Sequence, residues 1–373
     1  MKLAEALVQV ARSAGVRLAT HVPGYGASQV FAAWGGRGSY HEEVALGMAL
    51  GSAMAGHPSL CLIKMHGLLK AANALVCGLS AGVSAACVIV VFDDPAGGHS
   101  DNQLPTRAMV EALEVPWSSA EDAASAADCL VRALSQSHEQ RLPHVLLLDS
   151  ALVDHEVESP ALPRVLDERE FRSDPVGQLV CPLFGDYQRR RLMFRLGRSG
   201  SPETPELPSL SAMPAHWQPT LRAYAPWIEA ILGQSGQRPF VAGDTGLSSL
   251  FGLSPSCAVD VIGWMGGSLP LALGALAGGE RAAWAFTGDF SFLAAGHLGW
   301  LEARRWALPL RVFLFDNGCA RATGGQLVEP ELLAQVLHGP EVVRVGRPEL
   351  LPLAAEAALL QPRLYWLEVG GCE

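Results

Sequence analysis

Two short apolar runs on either side of one helix-length segment limit the possible folds of this chain more than any other pattern. Residues 284–287 and 310–315 have the composition of buried strands, and the segment between them has helical periodicity. The pattern predicts a βαβ unit with parallel strands. Asp289 follows the first strand and Asn317 the second, so both should lie at the carboxyl edge, where open α/β sheets bind ligands. Oxygen ligands beside a Gly-rich turn and a helix N-terminus suit a Mg²⁺ ion that carries a diphosphate.

The second half of the chain repeats the layout of the first half. A helix of small residues at 266–277 corresponds to one at 44–55, and the strand at 310–315 corresponds to one at 88–92. The repeat predicts an α/β protein with two domains, each a mainly parallel sheet flanked by helices. We assign these domains to residues 1–152 and 220–373. The Pro- and Arg-rich residues 153–219 are expected to be a connector with one docked helix.

Composition excludes several other classes of protein. The net charge of −10 and the lack of a long basic run argue against nucleic acid as a partner. The charged N-terminus does not resemble a signal peptide. Residues 73–92 are almost uncharged, but their small and β-branched composition favours a buried helix and strand over a membrane span. The eight cysteines show no metal-binding spacing, and most are expected to be buried thiols of a cytoplasmic protein.

Gly288-Asp289, followed about 25 to 30 residues later by Asp316-Asn317, resembles the signature of thiamine diphosphate (ThDP) enzymes. This resemblance implies that Mg²⁺ is bound by three groups: Asp289, the side chain of Asn317 and the backbone carbonyl of Cys319. It also implies that Gly288 and Ser291 lie against the diphosphate. Phe290 stands where the family usually has a glycine.

Two further segments resemble parts of the same family. HEEVALGMALG places Glu42 at the position of the glutamate that activates the pyrimidine ring at N1′, and we expect it to be buried enough to stay protonated. The adjacent Glu43 is expected only to interact favourably with the dipole at the N-terminus of the helix. GWMGG resembles the loop in which the Gly263 carbonyl accepts a hydrogen bond from the 4′-amine and Met265 supports the bent cofactor.

Among ThDP enzymes, the first domain most resembles the ThDP-binding subunit of indolepyruvate ferredoxin oxidoreductase. The resemblance extends to the GDTG segment, which implies cofactor contacts for Gly243, Asp244 and Thr245. The GGQ segment is similar to phosphonopyruvate and sulfopyruvate decarboxylases. The cysteine-rich, ferredoxin-like segment of the oxidoreductase subunit is not seen in this sequence. We therefore expect non-oxidative decarboxylation of an aryl- or indole-pyruvate-type 2-oxo acid to the aldehyde.

Release of an aldehyde needs a proton donor near the reacting carbon. The histidines that follow predicted strands are the candidates: His66 and His99 as catalytic residues, and His21 as a further donor or substrate contact. Polar residues that could bind the substrate carboxylate are Asn102, Gln103, Arg107 and Gln326.

The resemblance also implies an oligomer. The two cofactor-binding domains of one site usually come from different subunits, so we expect a homodimer or dimer of dimers in which Glu42 crosses the interface. Three alternatives remain: a carboligase, a catalytic subunit that passes electrons to a separate iron–sulfur partner, and a non-catalytic scaffold. The side chain of the 2-oxo acid is also open, with sulfo- and phosphonopyruvate less favoured because few Lys or Arg lie in the predicted site loops.

Overall fold

The computed structural model describes residues 1–167, 169–234, 236 and 238–370. The chain divides into two compact units. The first unit comprises Met1–Arg172, Arg190–Ser201 and Ala277–Gly279. The second unit comprises Ser173–Arg189, Pro202–Leu276 and Glu280–Glu373.

The first unit is built on a five-stranded sheet in the order β1-β2-β3-β5-β4, with all neighbouring strands parallel. Its strands are β1 Leu18–His21, β2 Ser59–Lys64, β3 Cys87–Asp93, β4 Trp117–Ser119 and β5 His144–Asp149. β2, β3 and β5 are almost wholly buried apolar runs, as expected for a parallel sheet covered on both faces.

The α-helices that precede or connect these strands are α1 Leu3–Ser13, α2 Ala27–Trp34, α3 Glu42–Met54, α4 Met65–Lys70, α5 Ala72–Ala81, α6 Thr106–Ala112 and α7 Ala123–Gln140. α1, α2 and α7 contribute to one apolar core with the sheet. Every residue of α3 from Val44 onward is buried, because its small side chains allow close packing on all sides. The nearly uncharged segment discussed above is α5 followed by β3. Within the described part of the chain, no helix combines the length and hydropathy needed to cross a membrane.

The second unit contains a six-stranded parallel sheet in the order β10-β11-β9-β8-β6-β7. Its strands are β6 Phe240–Gly243, β7 Val261–Ile262, β8 Ala283–Gly288, β9 Arg311–Asp316, β10 Val342–Val345 and β11 Arg363–Glu368. The pairing of β8 with β9 aligns Gly288 with Phe315, so the chain leaves both strands at the same edge. The predicted α/β class with two mainly parallel sheets is confirmed.

The remaining helices along the chain are α8 Pro175–Gln178, α9 Gly185–Arg195, α10 Gln218–Gly233, α11 Ser268–Gly278, α12 Asp289–Ser291, α13 His297–Trp306 and α14 Pro330–Val336. A single wide π-helical turn, Phe292–Gly296, joins α12 to α13. Stacked and edge-on aromatic rings fill the core of the second unit, with Phe313 in contact with Trp284, Phe286 and Tyr365.

Six cysteines are free thiols: Cys61, Cys77, Cys87, Cys129, Cys181 and Cys257. Cys319 is disulfide-bonded, so the expectation of buried thiols does not hold there. Cys372 lies outside the described residues.

Candidate active site

Asp289 and Asn317 meet at the carboxyl edge of the second sheet, as the βαβ pattern predicts. Asp289 Oδ2 accepts hydrogen bonds from the backbone N–H groups of Gly318 at 2.6 Å and Asn317 at 3.2 Å. Its other oxygen accepts from the Phe290 N–H at 2.8 Å. The carboxylate at the end of β8 is therefore fixed against the turn that follows β9.

The Asn317 amide is held at both of its polar atoms. Its Oδ1 accepts from the Cys319 N–H at 3.1 Å, and its Nδ2 donates to the Tyr224 hydroxyl at 2.5 Å. Tyr224 lies on α10 and was not among the predicted site residues. The available signal was faint, since a tyrosine in an apolar stripe is ordinarily a core residue.

The Cys319 carbonyl, expected as a third oxygen ligand, accepts a hydrogen bond from the Arg321 N–H at 2.8 Å. A carbonyl oxygen has two lone pairs, so this contact leaves one acceptor site. A carboxylate, an amide oxygen and a carbonyl are the hard oxygen donors that Mg²⁺ prefers. The residues at this edge therefore fit a magnesium ion.

Burial dominates the electrostatics of the Asp289 carboxyl. It raises the pKa of Asp289 to about 7, the N–H of Phe290 partly offsets this, and the negative charge of Asp316 raises it further. A buried carboxylate beside a second carboxylate is stabilised by a bound cation.

A cavity of about 170 Å³ opens beside these groups. Seven of the predicted cofactor and metal residues line it: Thr245, Met265, Gly288, Asp289, Ser291, Asn317 and Cys319. A side-chain carbon built on Gly288 would meet nothing within 4 Å, so there is open space beside the β8 terminus. This space at a strand end, next to the oxygen donors, fits a diphosphate group.

Asp244 lies beneath the cavity rather than in its wall. It is 1% exposed, and its carboxylate accepts from the Ser268 N–H at 2.8 Å and the Thr287 hydroxyl at 2.5 Å. The Gly266 N–H is a further donor. Burial raises the pKa of Asp244 to about 6, although the hydrogen bond from Thr287 counters the shift. In the structure Asp244 thus joins the loop before α11 to β8. The cofactor contact that the resemblance implies for Asp244 stays a prediction.

The loop between β7 and α11 brings Met265 into the cavity wall with 40% of its surface exposed. Gly263 does not line the cavity, and its N–H donates to the carbonyl of Gly243 at 3.1 Å. Gly266 has a φ of +81°, and a side-chain carbon there would lie 2.6 Å from the backbone nitrogen of Gly296. Only glycine allows this loop to approach the π-helical turn so closely.

In the first unit, Glu42 is the first residue of α3, as predicted. Its carboxylate Oε2 lies 2.9 Å from the Lys70 ammonium, and the side chain is 18% exposed. A side-chain carbon on Gly67 would be 2.7 Å from Glu42 Cγ, so the glutamate stem is closely covered. The structure thus pairs the Glu42 carboxyl group with Lys70, and the role of Glu42 at the pyrimidine ring stays a prediction.

The structure places two of the predicted histidines against other predicted or aromatic residues. The ring nitrogen Nε2 of His66 contacts Asn102 Oδ1. The His99 ring stacks on Tyr25 with 3.7 Å between ring centroids. The backbone of His99 donates to Asp94 Oδ2 at 2.6 Å, which orders the loop after β3.

His21 has a more structural environment. It is 7% exposed, hydrogen-bonded to Ser28 Oγ at 3.2 Å and stacked on Phe31. Burial lowers the pKa of His21 to about 4, so the ring is neutral at pH 7. A neutral, largely enclosed ring is a poor proton donor to a ligand.

The other predicted substrate contacts lie in loops. Gln103 donates to the Pro95 carbonyl at 2.8 Å, in the same loop as His99. Gln326 is exposed and does not line the cavity; its backbone carbonyl accepts from the Ala320 N–H at 2.8 Å. The predicted residues thus form two groups, one in each unit.

Part of the chain is similar in sequence to known thiamine pyrophosphate enzymes. Residues 248–357 match the C-terminal TPP binding domain of thiamine pyrophosphate enzymes. Indolepyruvate oxidoreductase subunit IorA of Methanothermobacter thermautotrophicus is 28% identical over 204 residues, a match that covers 52% of this chain and 33% of that protein. The chain therefore spans about a third of the length of this relative.

Two solved structures share the fold over nearly the whole chain. Benzoylformate decarboxylase from Polynucleobacter necessarius aligns with a TM-score of 0.68 at 12% identity, covering 99% of this chain and 98% of that one. The thiamine diphosphate-dependent 4-hydroxybenzoylformate decarboxylase of Rhodococcus jostii RHA1 aligns with a TM-score of 0.68 at 13% identity and covers 100% of both chains. The resemblance to ThDP-dependent enzymes that the sequence motifs indicate is confirmed.

Proposed function

We propose that this chain is a ThDP- and Mg²⁺-dependent decarboxylase that converts a 2-oxo acid of the aryl- or indole-pyruvate type to the aldehyde and CO₂. The observation that carries the proposal is the Asp289 carboxylate, held by three backbone N–H groups beside Asn317. It lies in a cavity within the segment that matches the TPP binding domain. Both decarboxylases named above support the reaction class.

Asp289, the Asn317 side chain and the Cys319 carbonyl would hold Mg²⁺. Gly288 and Ser291, at the β8 terminus, would lie beside the diphosphate. When bound, ThDP supplies an electron sink that makes loss of CO₂ from a 2-oxo acid feasible. Met265 would support the cofactor from the cavity wall. The Gly263 carbonyl would accept a hydrogen bond from the 4′-amine of the cofactor. Asp244 would keep the loop that carries these two residues in register with β8.

Glu42 would give and take a proton at the pyrimidine N1′. In the structure its carboxyl group pairs with Lys70 at 2.9 Å. Lys70 is 51% exposed, so its side chain can move away when a hydrogen-bonding partner takes its place.

His66 and His99 would deliver the proton that completes the aldehyde. Both belong to the first unit, and each has a neighbour that orients it, Asn102 for His66 and Tyr25 for His99. Substrate contacts are proposed for Asn102, Gln103 and Gln326, and a lesser one for His21 because of its burial. We further propose a homodimer or dimer of dimers in which Glu42 reaches a site completed by a second subunit.

A second function is favoured by the similarity to the IorA proteins, whose name denotes an indolepyruvate oxidoreductase. In that case the chain would be a catalytic subunit that passes electrons to a separate iron–sulfur partner. The same cofactor residues would serve both reactions, and the fate of the electrons left after CO₂ loss would differ.

The discriminating experiment measures aldehyde formation from phenylpyruvate, indolepyruvate and benzoylformate, with ThDP and Mg²⁺ and without any electron acceptor. We expect one aldehyde per CO₂ and no reaction when ThDP is omitted. Turnover that appears only with a viologen dye or ferredoxin would overturn the decarboxylase in favour of the oxidoreductase subunit. Acyloin products in place of aldehyde would indicate a carboligase.

A further inference from the structure

Helix α10 presents two polar side chains to the turn that follows β9. Thr220 and Tyr224 are four residues apart, so they lie on the same face of the helix. Thr220 Oγ1 accepts from Arg321 Nε at 3.4 Å, and the Tyr224 hydroxyl accepts from Asn317 Nδ2 at 2.5 Å. Helix α10 therefore contacts the turn after β9 through two side chains that lie one helical turn apart.

The Tyr224 ring has little freedom to move. It is 3% exposed and stacks on Phe251 and Phe315, with ring centroids 5.6 Å and 5.4 Å away. Phe315 belongs to β9, two residues before Asn317, so the ring is packed against the strand that carries the amide.

The orientation of the Asn317 amide decides whether it can bind a cation. An asparagine side chain has one oxygen acceptor and one NH₂ donor, and only the oxygen is a ligand for Mg²⁺. Rotating the amide by half a turn would exchange these atoms. The Cys319 N–H donates to Oδ1, and the Tyr224 hydroxyl accepts from Nδ2. Both contacts favour the same orientation of the amide, in which the second lone pair of Oδ1 is available to a cation.

We propose that Tyr224 is a positioning residue of the cation site: by holding the NH₂ group of Asn317, it acts with the Cys319 N–H to keep the amide oxygen as the ligand. The inference rests on the proposed function, because it takes Asn317 as a Mg²⁺ ligand. It adds a residue outside the sequence motif, on a helix 93 positions earlier in the chain. Tyr224 acts on the metal only through Asn317.

The test compares Tyr224→Phe with Tyr365→Phe. Tyr365 is a matched control because it is 0% exposed, belongs to the same aromatic core, and donates its hydroxyl hydrogen to Glu356 at 2.9 Å. Mg²⁺ affinity would be measured by calorimetric titration of the full chain at saturating ThDP, and thermal stability would be measured without metal.

We expect Tyr224→Phe to weaken Mg²⁺ binding about 10- to 100-fold, as for loss of other groups that orient metal ligands. Tyr365→Phe should lower thermal stability similarly while changing Mg²⁺ affinity less than about threefold. Unchanged Mg²⁺ affinity in Tyr224→Phe, or an equal loss in both variants, would overturn the inference. A wild-type chain that binds neither ThDP nor Mg²⁺ would overturn the proposed function itself.

A second variant separates orientation from packing. In an Asn317→Asp background both side-chain oxygens can bind a cation, so the choice made by Tyr224 no longer matters. There we expect Tyr224→Phe to change Mg²⁺ affinity less than about threefold. The same 10- to 100-fold loss in this background would show that the tyrosine acts by packing alone and would refute the proposal.

Discussion

The two units build their carboxyl-edge sites in different ways. In the second unit, backbone N–H groups fix the carboxylate of Asp289 on both oxygens. In the first unit, the corresponding side chains contact other side chains, as in Glu42 with Lys70 and His66 with Asn102. Backbone donors cannot rotate away, whereas a lysine or an asparagine can. The comparison suggests that the second unit provides a rigid anchor and the first unit provides groups that change partner or protonation state.

The strongest way to test this difference is Glu42→Gln, which keeps the size of the side chain but removes its proton. We expect turnover to fall by about 10²- to 10⁴-fold, because a general acid–base group is lost. ThDP binding should change less than about threefold, since the anchor lies in the second unit. Steady-state rates and ThDP titration would measure the two effects.

Glu43→Gln is the control for that experiment. Glu43 is the next residue of α3 and accepts a hydrogen bond from Asn73 at 3.2 Å. Its rate should stay within about twofold of wild type, as expected for a surface contact. If Glu42→Gln kept its full rate, the first unit would not supply the proton chemistry, and the comparison would fail.

A second test uses buried ionisable groups whose protonation changes the stability of the two units in opposite directions. Burial lowers the pKa values of His21 and His144 to about 4, from an ordinary 6.5. Their contribution to stability is present above pH 6.5 and is lost as the pH falls toward 4, roughly 2 kcal/mol per histidine at pH 5. Burial raises the pKa of Asp244 from 3.8 to about 6. The charged form of Asp244 is disfavoured in the fold, so its titration from pH 7 to pH 5 should add roughly 1 kcal/mol to the stability of the second unit. The raised pKa of Asp289 acts in the same direction.

Hydrogen exchange measured by mass spectrometry at pH 7 and pH 5, without metal or cofactor, would follow each unit separately. After correction for intrinsic rates, β2 should lose protection and β6 should gain it. His144→Gln should remove only part of the loss in the first unit, because burial also lowers the pKa values of His21 and His138. A change of protection in the same direction in both units would contradict the expected effects of the buried histidines and Asp244.

The smallest expected effect concerns the side-chain partner of Glu42. Lys70→Met removes an ion pair whose lysine is 51% exposed, so the free energy of unfolding should change by less than about 1 kcal/mol. Urea denaturation would measure it, with Lys2→Met as the matched control, since Lys2 makes a similarly exposed pair with Asp154 at 3.1 Å. A loss above about 2 kcal/mol for Lys70→Met alone would mean that this pair is structural and not an exchangeable partner.

Local patterns predicted the strands and their order along the chain well. β3, β8 and β9 were predicted within one residue at each end, because buried parallel strands are short apolar runs bounded by turn residues. The meeting of Asp289 and Asn317 followed from that βαβ unit.

Contacts between polar side chains that are far apart in the chain could not be predicted from local sequence patterns. Nothing local to Tyr224 indicates that its hydroxyl meets Asn317, and nothing local to Asp244 indicates that its carboxylate accepts hydrogen bonds from Ser268 and Thr287. The ion pair of Glu42 depends on where α4 places Lys70. In each case the chemistry of a predicted residue was set by a partner whose position only the packed fold determines.

The close approach of Gly266 to the π-helical turn also has a consequence for how this site can vary. Met265 lines the cavity, and its replacement by another apolar residue of similar volume should change the free energy of unfolding little. Its neighbour cannot vary, since any side chain at position 266 would meet the backbone of Gly296 and would also require a strained left-handed conformation. An engineer who wishes to reshape the pocket should therefore randomise position 265 and leave position 266 alone. Drift among natural descendants of this chain would obey the same restriction.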